Sequence, residues 1–103
     1  MKKTGALLLG LGLLAATPAI AQDAAAGRQV AEKVCSECHF VDSVDFKTSK
    51  APGLLAVARM SSVTELSLKV FLQTPHAAMP AVALTQRELD DVVTFILGLK
   101  GNI

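Results

Sequence analysis

Cys35, Ser36, Glu37, Cys38 and His39 form a C-x-x-C-H pentapeptide that holds both cysteines of a 103-residue chain. That spacing is the attachment signature for covalent haem. Two thiols add to two vinyl groups of a porphyrin, and the two intervening residues match the spacing of adjacent vinyls. His39, next to the second thiol, can then place its imidazole under the iron. Three other chemistries compete for such residues. A thioredoxin-like dithiol needs its cysteines at a helix N-terminus, where the dipole lowers the thiol pKa. Here the helical pattern precedes the cysteines, and no βαβ unit is present. A tetrahedral zinc site from Cys35, Cys38, His39 and His76 needs all four to converge, and it leaves the apolar stretch 74–84 unexplained. The third is an ordinary structural disulfide. The context favours haem, because both cysteines are used and an export signal precedes them.

An iron held by His39 has a sixth position to fill, and Met60, Met79 and His76 are the candidates. Met79 lies forty residues after His39 in an uncharged segment, with Pro75 and Pro80 on either side. Prolines reduce the conformational entropy of such a loop and so favour holding a thioether on the metal. Met60 ends a short helical stretch and reads as core filler. His76 directly follows Pro75, where a surface turn is expected, and its ligation would give a bis-His iron of lower potential. Met79 is the favoured ligand.

The elements that must position these groups read as helices joined by loops, with no period-2 stretch of strand length. Asp23 is a good N-cap for a first helix running to Val34. Gly27, Val30, Ala31 and Val34 give it one face of small residues. Residues 40–53 form a polar loop, and a short helix is expected over Leu54 to Arg59. Ser62–Glu65 reads as a capping box for a third helix from Val63 to about Gln73, with Leu66 and Val70 on one face and Leu68, Phe71 and Leu72 nearby. Residues 74–84 form an apolar loop that should cover something apolar. Thr85–Glu88 is a second capping box, and the helix it opens carries Leu89, Val92, Val93, Ile96 and Leu99 on one stripe. Phe95 flanks that stripe, placed to meet Gly27. Gly101 is a C-terminal stop.

Half of the chain (51%) is hydrophobic and 18% is charged, with four Phe and no Trp or Tyr. The formal charge of +1 lacks the basic face of a nucleic-acid binder. Lys2 and Lys3, the uncharged Gly5–Ala16 run and Ala19-Ile20-Ala21 have the layout of a secretory signal peptide cleaved after Ala21. The expected organisation is therefore a leader, 1–21, and one domain, 22–103. No membrane span remains after cleavage, and the compartment is read as a bacterial periplasm. A domain of that size is marginal on its own core and needs a staple such as a cofactor.

With these residues in place, the sequence resembles the class I monohaem cytochromes c over about residues 23–100. Gly27 matches the N-terminal-helix glycine, and Cys35, Cys38 and His39 match the haem motif. Ala51-Pro52-Gly53-Leu54 looks like the proline segment, and Met79-Pro80 looks like the axial methionine motif. Phe95 stands where the C-terminal helix carries an aromatic. The resemblance implies an all-α cytochrome c fold, three to five short helices wrapped around one haem c attached through two thioethers. It implies Pro52 as a backbone acceptor for the His39 imidazole, and His39 and Met79 as the metal ligands. The chain departs from the family at Ala31, where many members have an aromatic. It also has no Trp or Tyr for the haem propionates, and Arg59, Ser61 and Ser62 are the replacement candidates.

The function expected from this is electron carriage rather than catalysis, because two protein ligands leave no open site for substrate. The partners would be redox proteins, a donor dehydrogenase or cytochrome complex and an acceptor oxidase or reductase, met by a monomer. Val41, Ala77, Ala78, Ala81 and Val82 are expected to rim the haem edge. The alternatives are a tightly bound cytochrome subunit of a dehydrogenase complex and a haem-based ligand sensor.

Overall fold

The computed structural model describes residues 22–101, so the expected leader, 1–21, lies outside the described residues. Among these, α1 spans Ala24–Val34, α2 Leu54–Ala58, α3 Glu65–Leu72 and α4 Gln86–Leu99, and a 3-10 turn, Cys35–Glu37, follows α1 directly. The only β pairing described is a single bridge between Thr48 and Ala51. The all-α expectation holds.

Local chemistry sets the ends of each helix. Asp23 is extended, and its carboxylate accepts from the Ala25 and Ala26 N–H groups, so α1 starts one residue later. Thr85 and Glu88 form the expected reciprocal box at the start of α4. At α3 the expected start is displaced. Met60 accepts from the Val63 N–H, which spends residues 60–63 on a turn. Thr64 therefore becomes the N-cap, and the Ser67 hydroxyl takes the part expected of Glu65. The helix loses its first two expected residues and stops at Leu72.

The helix α4 is the spine of the core. Leu89, Val92, Val93, Ile96 and Leu99 are all buried, as their spacing requires. Against it lies α1, crossing so closely that a Cβ on Gly27 would sit 1.9 Å from the Asp91 carbonyl oxygen and 2.8 Å from Phe95 Cβ. The expected meeting of Gly27 and Phe95 is therefore a backbone-on-backbone approach that only glycine permits. Ala31, one turn on, is fully buried. The Arg28 guanidinium stacks over the Phe95 ring at 5.0 Å and pairs with Asp42 at 2.5 Å, tying α1 to α4 and to the 40–53 loop. Asp42 and Glu32 raise the Arg28 pKa further, and Arg28 in turn holds the Asp42 carboxyl below its ordinary value.

On α3 the inward pair is Leu68 and Leu72, while Leu66 and Val70 face outward. The later start explains this. With Thr64 as the cap, the i, i+4 pair beginning at Leu68 is the one turned toward α4. The side chains with less than 2% exposure and the largest volume are Val92 and Val93. The most deeply buried part of the core is thus built from mid-sized groups, with Phe95 the large side chain at its edge.

Candidate functional site

The 3-10 turn at the end of α1 gathers the pentapeptide. The Cys38 and His39 N–H groups both donate to the Cys35 carbonyl, at 3.2 and 2.9 Å. Folding the chain back in this way puts both thiols and the imidazole on the wall of one cavity. Cys35 is itself the C-cap residue of α1. That is the negative end of the helix dipole, where a thiolate gains no stabilisation. Burial pushes the Cys35 thiol up further. Both features oppose thioredoxin-like exchange, which needs a ready thiolate. Among the described residues, no three His, Cys, Asp or Glu side chains converge as a metal-binding group, so the zinc arrangement of Cys35, Cys38, His39 and His76 is not assembled.

His39 Nδ1 lies 2.6 Å from the Pro52 carbonyl oxygen. A carbonyl only accepts, so Nδ1 carries a proton, and in the neutral ring this leaves the lone pair on Nε2. Hydrogen bonds hold the Pro52 segment in place: Leu54 N–H donates to the Phe40 carbonyl at 2.8 Å, and Leu55 N–H to the Ser43 carbonyl at 3.3 Å. Gly53 sits so close to Ser43 that a Cβ there would lie 1.7 Å from the Ser43 carbonyl oxygen. Gly53 thus allows the contact that sets the height of Pro52 against the imidazole. Its signal in the sequence was only its place after Pro52.

The cavity has a volume of about 590 Å³ and a mostly apolar wall. Leu54, Val57, Leu68, Leu72 and Ile96 face it from the core side. Met79 and Pro80 line it from the 74–84 loop, and Met79 is half-buried. Its turn is closed by reciprocal backbone bonds: His76 N–H donates to the Met79 carbonyl at 3.0 Å, and Met79 N–H to the His76 carbonyl at 3.2 Å. The apolar loop does cover an apolar surface, as expected.

Several expected placements need correction. Met60 is not core filler: it is 44% exposed and borders the cavity, because α2 ends at Ala58 and the following turn carries it outward. Of Arg59, Ser61 and Ser62, only Ser62 borders the cavity, beside Thr48 and Lys50, which sequence reasoning missed. Of the expected rim, Ala78 lines the cavity, Val41 and Val82 pack against the core, and Ala77 and Ala81 are exposed. Asp91 was also missed. It is a buried carboxylate that accepts from the Asp23 N–H at 2.8 Å and fastens the start of α1 to α4. It lies off the apolar stripe of α4, one turn before Phe95, on the flank that meets Gly27.

Comparison with known proteins places this arrangement. The chain is 31% identical over 83 residues to "Cytochrome c-552" of Bradyrhizobium diazoefficiens, an overlap of 80% of each chain. It belongs to the small c-type cytochromes. No family model and no solved structure matches it. The cavity of this cytochrome fits the family's cofactor on its own terms. Its volume lies in the roughly 300–1,000 Å³ range of cofactor sites, and its wall is apolar with a few converging polar groups. Along it lie two thiols, which suit thioether attachment to a porphyrin, and an imidazole and a soft thioether, groups of the kind that ligate haem iron. No helix among the described residues is long and apolar enough to cross a membrane.

Proposed function

We propose that this cytochrome is an exported, periplasmic single-electron carrier with one haem c. In this reading residues 1–21 are a cleaved signal peptide, and Cys35 and Cys38 form the two thioethers. His39 and Met79 are the iron ligands, and the Pro52 carbonyl orients the imidazole. The observation that carries the reading is the convergence of Cys35, Cys38, His39 and Met79 on one apolar cavity. Haem c supplies reversible one-electron oxidation and reduction. The residues supply the rest. The Pro52 carbonyl fixes the tautomer of His39 and raises its basicity. The apolar wall excludes water and disfavours added positive charge. The Met79 thioether favours the reduced state. The midpoint potential is therefore positive.

The test is the visible spectrum of both oxidation states, followed by a redox titration. A c-type reduced spectrum, a weak far-red sulfur-to-iron band in the oxidised form and a positive midpoint are expected. Met79→Ala should abolish the band and let the reduced protein bind carbon monoxide. Purified protein without haem absorbance refutes the cofactor, and a negative midpoint refutes Met79 as ligand.

A second reading, a cytochrome held stably in a dehydrogenase complex, draws on Leu66 and Val70, which are 72% and 55% exposed on the outer face of α3. Size-exclusion of the native protein separates the two: a carrier elutes alone, a subunit with its complex.

A further inference from the structure

The loop that carries Met79 is pinned to α3 by an aromatic contact that the electron-carrier reading leaves unexplained. The Phe71 and His76 rings stack with centroids 3.9 Å apart and planes inclined by 14°. Phe71 sits on the last turn of α3, whose end is anchored by Leu68 and Leu72 in the core. His76 opens the four-residue turn that Met79 closes through the two reciprocal backbone bonds. Between them, Thr74 N–H donates to the Phe71 carbonyl at 3.2 Å, and its hydroxyl donates to the Val70 carbonyl. The chain from α3 to Met79 is thus a short strap, fastened at its base by Thr74 and at its far end by the ring stack. Phe71, His76 and Met79 all border the cavity.

We propose that the Phe71–His76 stack is the clamp that holds the Met79 turn over the cavity, making His76 a positioning residue for Met79 and not itself a ligand. The proposal rests on Met79 ligation. Without the stack the turn keeps its backbone bonds, but it loses the contact that fixes it against α3. Met79 then leaves its place more often. An aromatic pair of this kind shifts such an equilibrium roughly two- to tenfold.

The test uses the oxidised holoprotein and added imidazole, which competes with Met79 and is followed by loss of the far-red band. In His76→Ala and Phe71→Ala the apparent imidazole affinity rises roughly two- to tenfold. In His76→Phe, which keeps a stacking ring but has no ligating nitrogen, it returns to the wild-type value. Far-UV circular dichroism confirms that each variant is folded before titration. Wild-type affinity in His76→Ala overturns the clamp while leaving Met79 ligation intact, and so does an affinity in His76→Phe as high as in His76→Ala. A wild-type holoprotein with no far-red band overturns Met79 ligation, and the clamp with it.

Discussion

Replacing Gly27 by Ala adds one methyl group where α1 and α4 have no room for it. The new Cβ would lie 1.9 Å from the Asp91 carbonyl oxygen, and ordinary contact begins at 3.4 Å. The helices must therefore part by about 1.5 Å. The obstacle is backbone in the middle of a capped 14-residue helix, so no side-chain rotation relieves it. Overpacking of this kind costs roughly 1–3 kcal/mol, occasionally more, and a 1.5 Å separation belongs at the upper end. The alanine recovers about 1 kcal/mol of helix propensity, which leaves a net loss of about 2 kcal/mol. At roughly 4–8 °C per kcal/mol for a domain of this size, the melting temperature should fall by about 8–16 °C. The assay is thermal unfolding of the oxidised holoprotein by far-UV circular dichroism, with the far-red band recorded at low temperature. The band should persist, since Gly27 lies two turns from Cys35 and remote from Met79. An unchanged or higher melting temperature would refute the close crossing.

Three further substitutions probe other parts of the argument. In Gly53→Ala a Cβ 1.7 Å from the Ser43 carbonyl oxygen must push the Pro52 segment aside. Weakening the bond that His39 Nδ1–H donates to Pro52 makes the imidazole less basic, so the midpoint potential should rise, and an unchanged potential would detach Pro52 from any tuning role. Met60→Leu should leave the far-red band intact, and its disappearance would move the sixth ligand to Met60. Asp42, held below its ordinary value of 3.8 by Arg28, contributes stability above that pH and loses it as the pH falls through the lower folded value. Because the pair is exposed, Asp42→Asn should cost less than about 1 kcal/mol at neutral pH, less still at high salt, and nothing in strong acid, as read by urea unfolding.

Those parts of the fold that rest on local chemistry were legible in the sequence. Asp23, Thr85 and the α4 stripe each act through neighbours two to four residues away, and their predicted roles match the structure. The small face at Gly27 and Ala31 was legible too, because a missing side chain in a helix signals a close partner. At α3 two capping frames two residues apart compete, and the Met60–Val63 turn decides between them, which the pattern of residues does not reveal. The cavity was legible as a motif and an apolar loop. Its far wall was not: Lys50, Thr48 and Met60 reach it through the path of the 40–53 loop and the turn after α2. The Phe71–His76 stack joins residues of unremarkable spacing, and only the geometry of the strap brings their rings together.

The crossing of α1 on α4 also sets an order of events during folding. The partner that α1 needs ends at Leu99, 65 residues beyond Val34. An interval therefore passes, after α1 is free to form, before that partner is available to it. Throughout that interval α1 cannot dock, and the Cys35–His39 segment at its end has no walls around it. Both thiols are then open to enzymes and small molecules alike. Once α4 is complete, Cys35 turns toward the interior, and any covalent chemistry at that thiol has had its widest opening before folding ended.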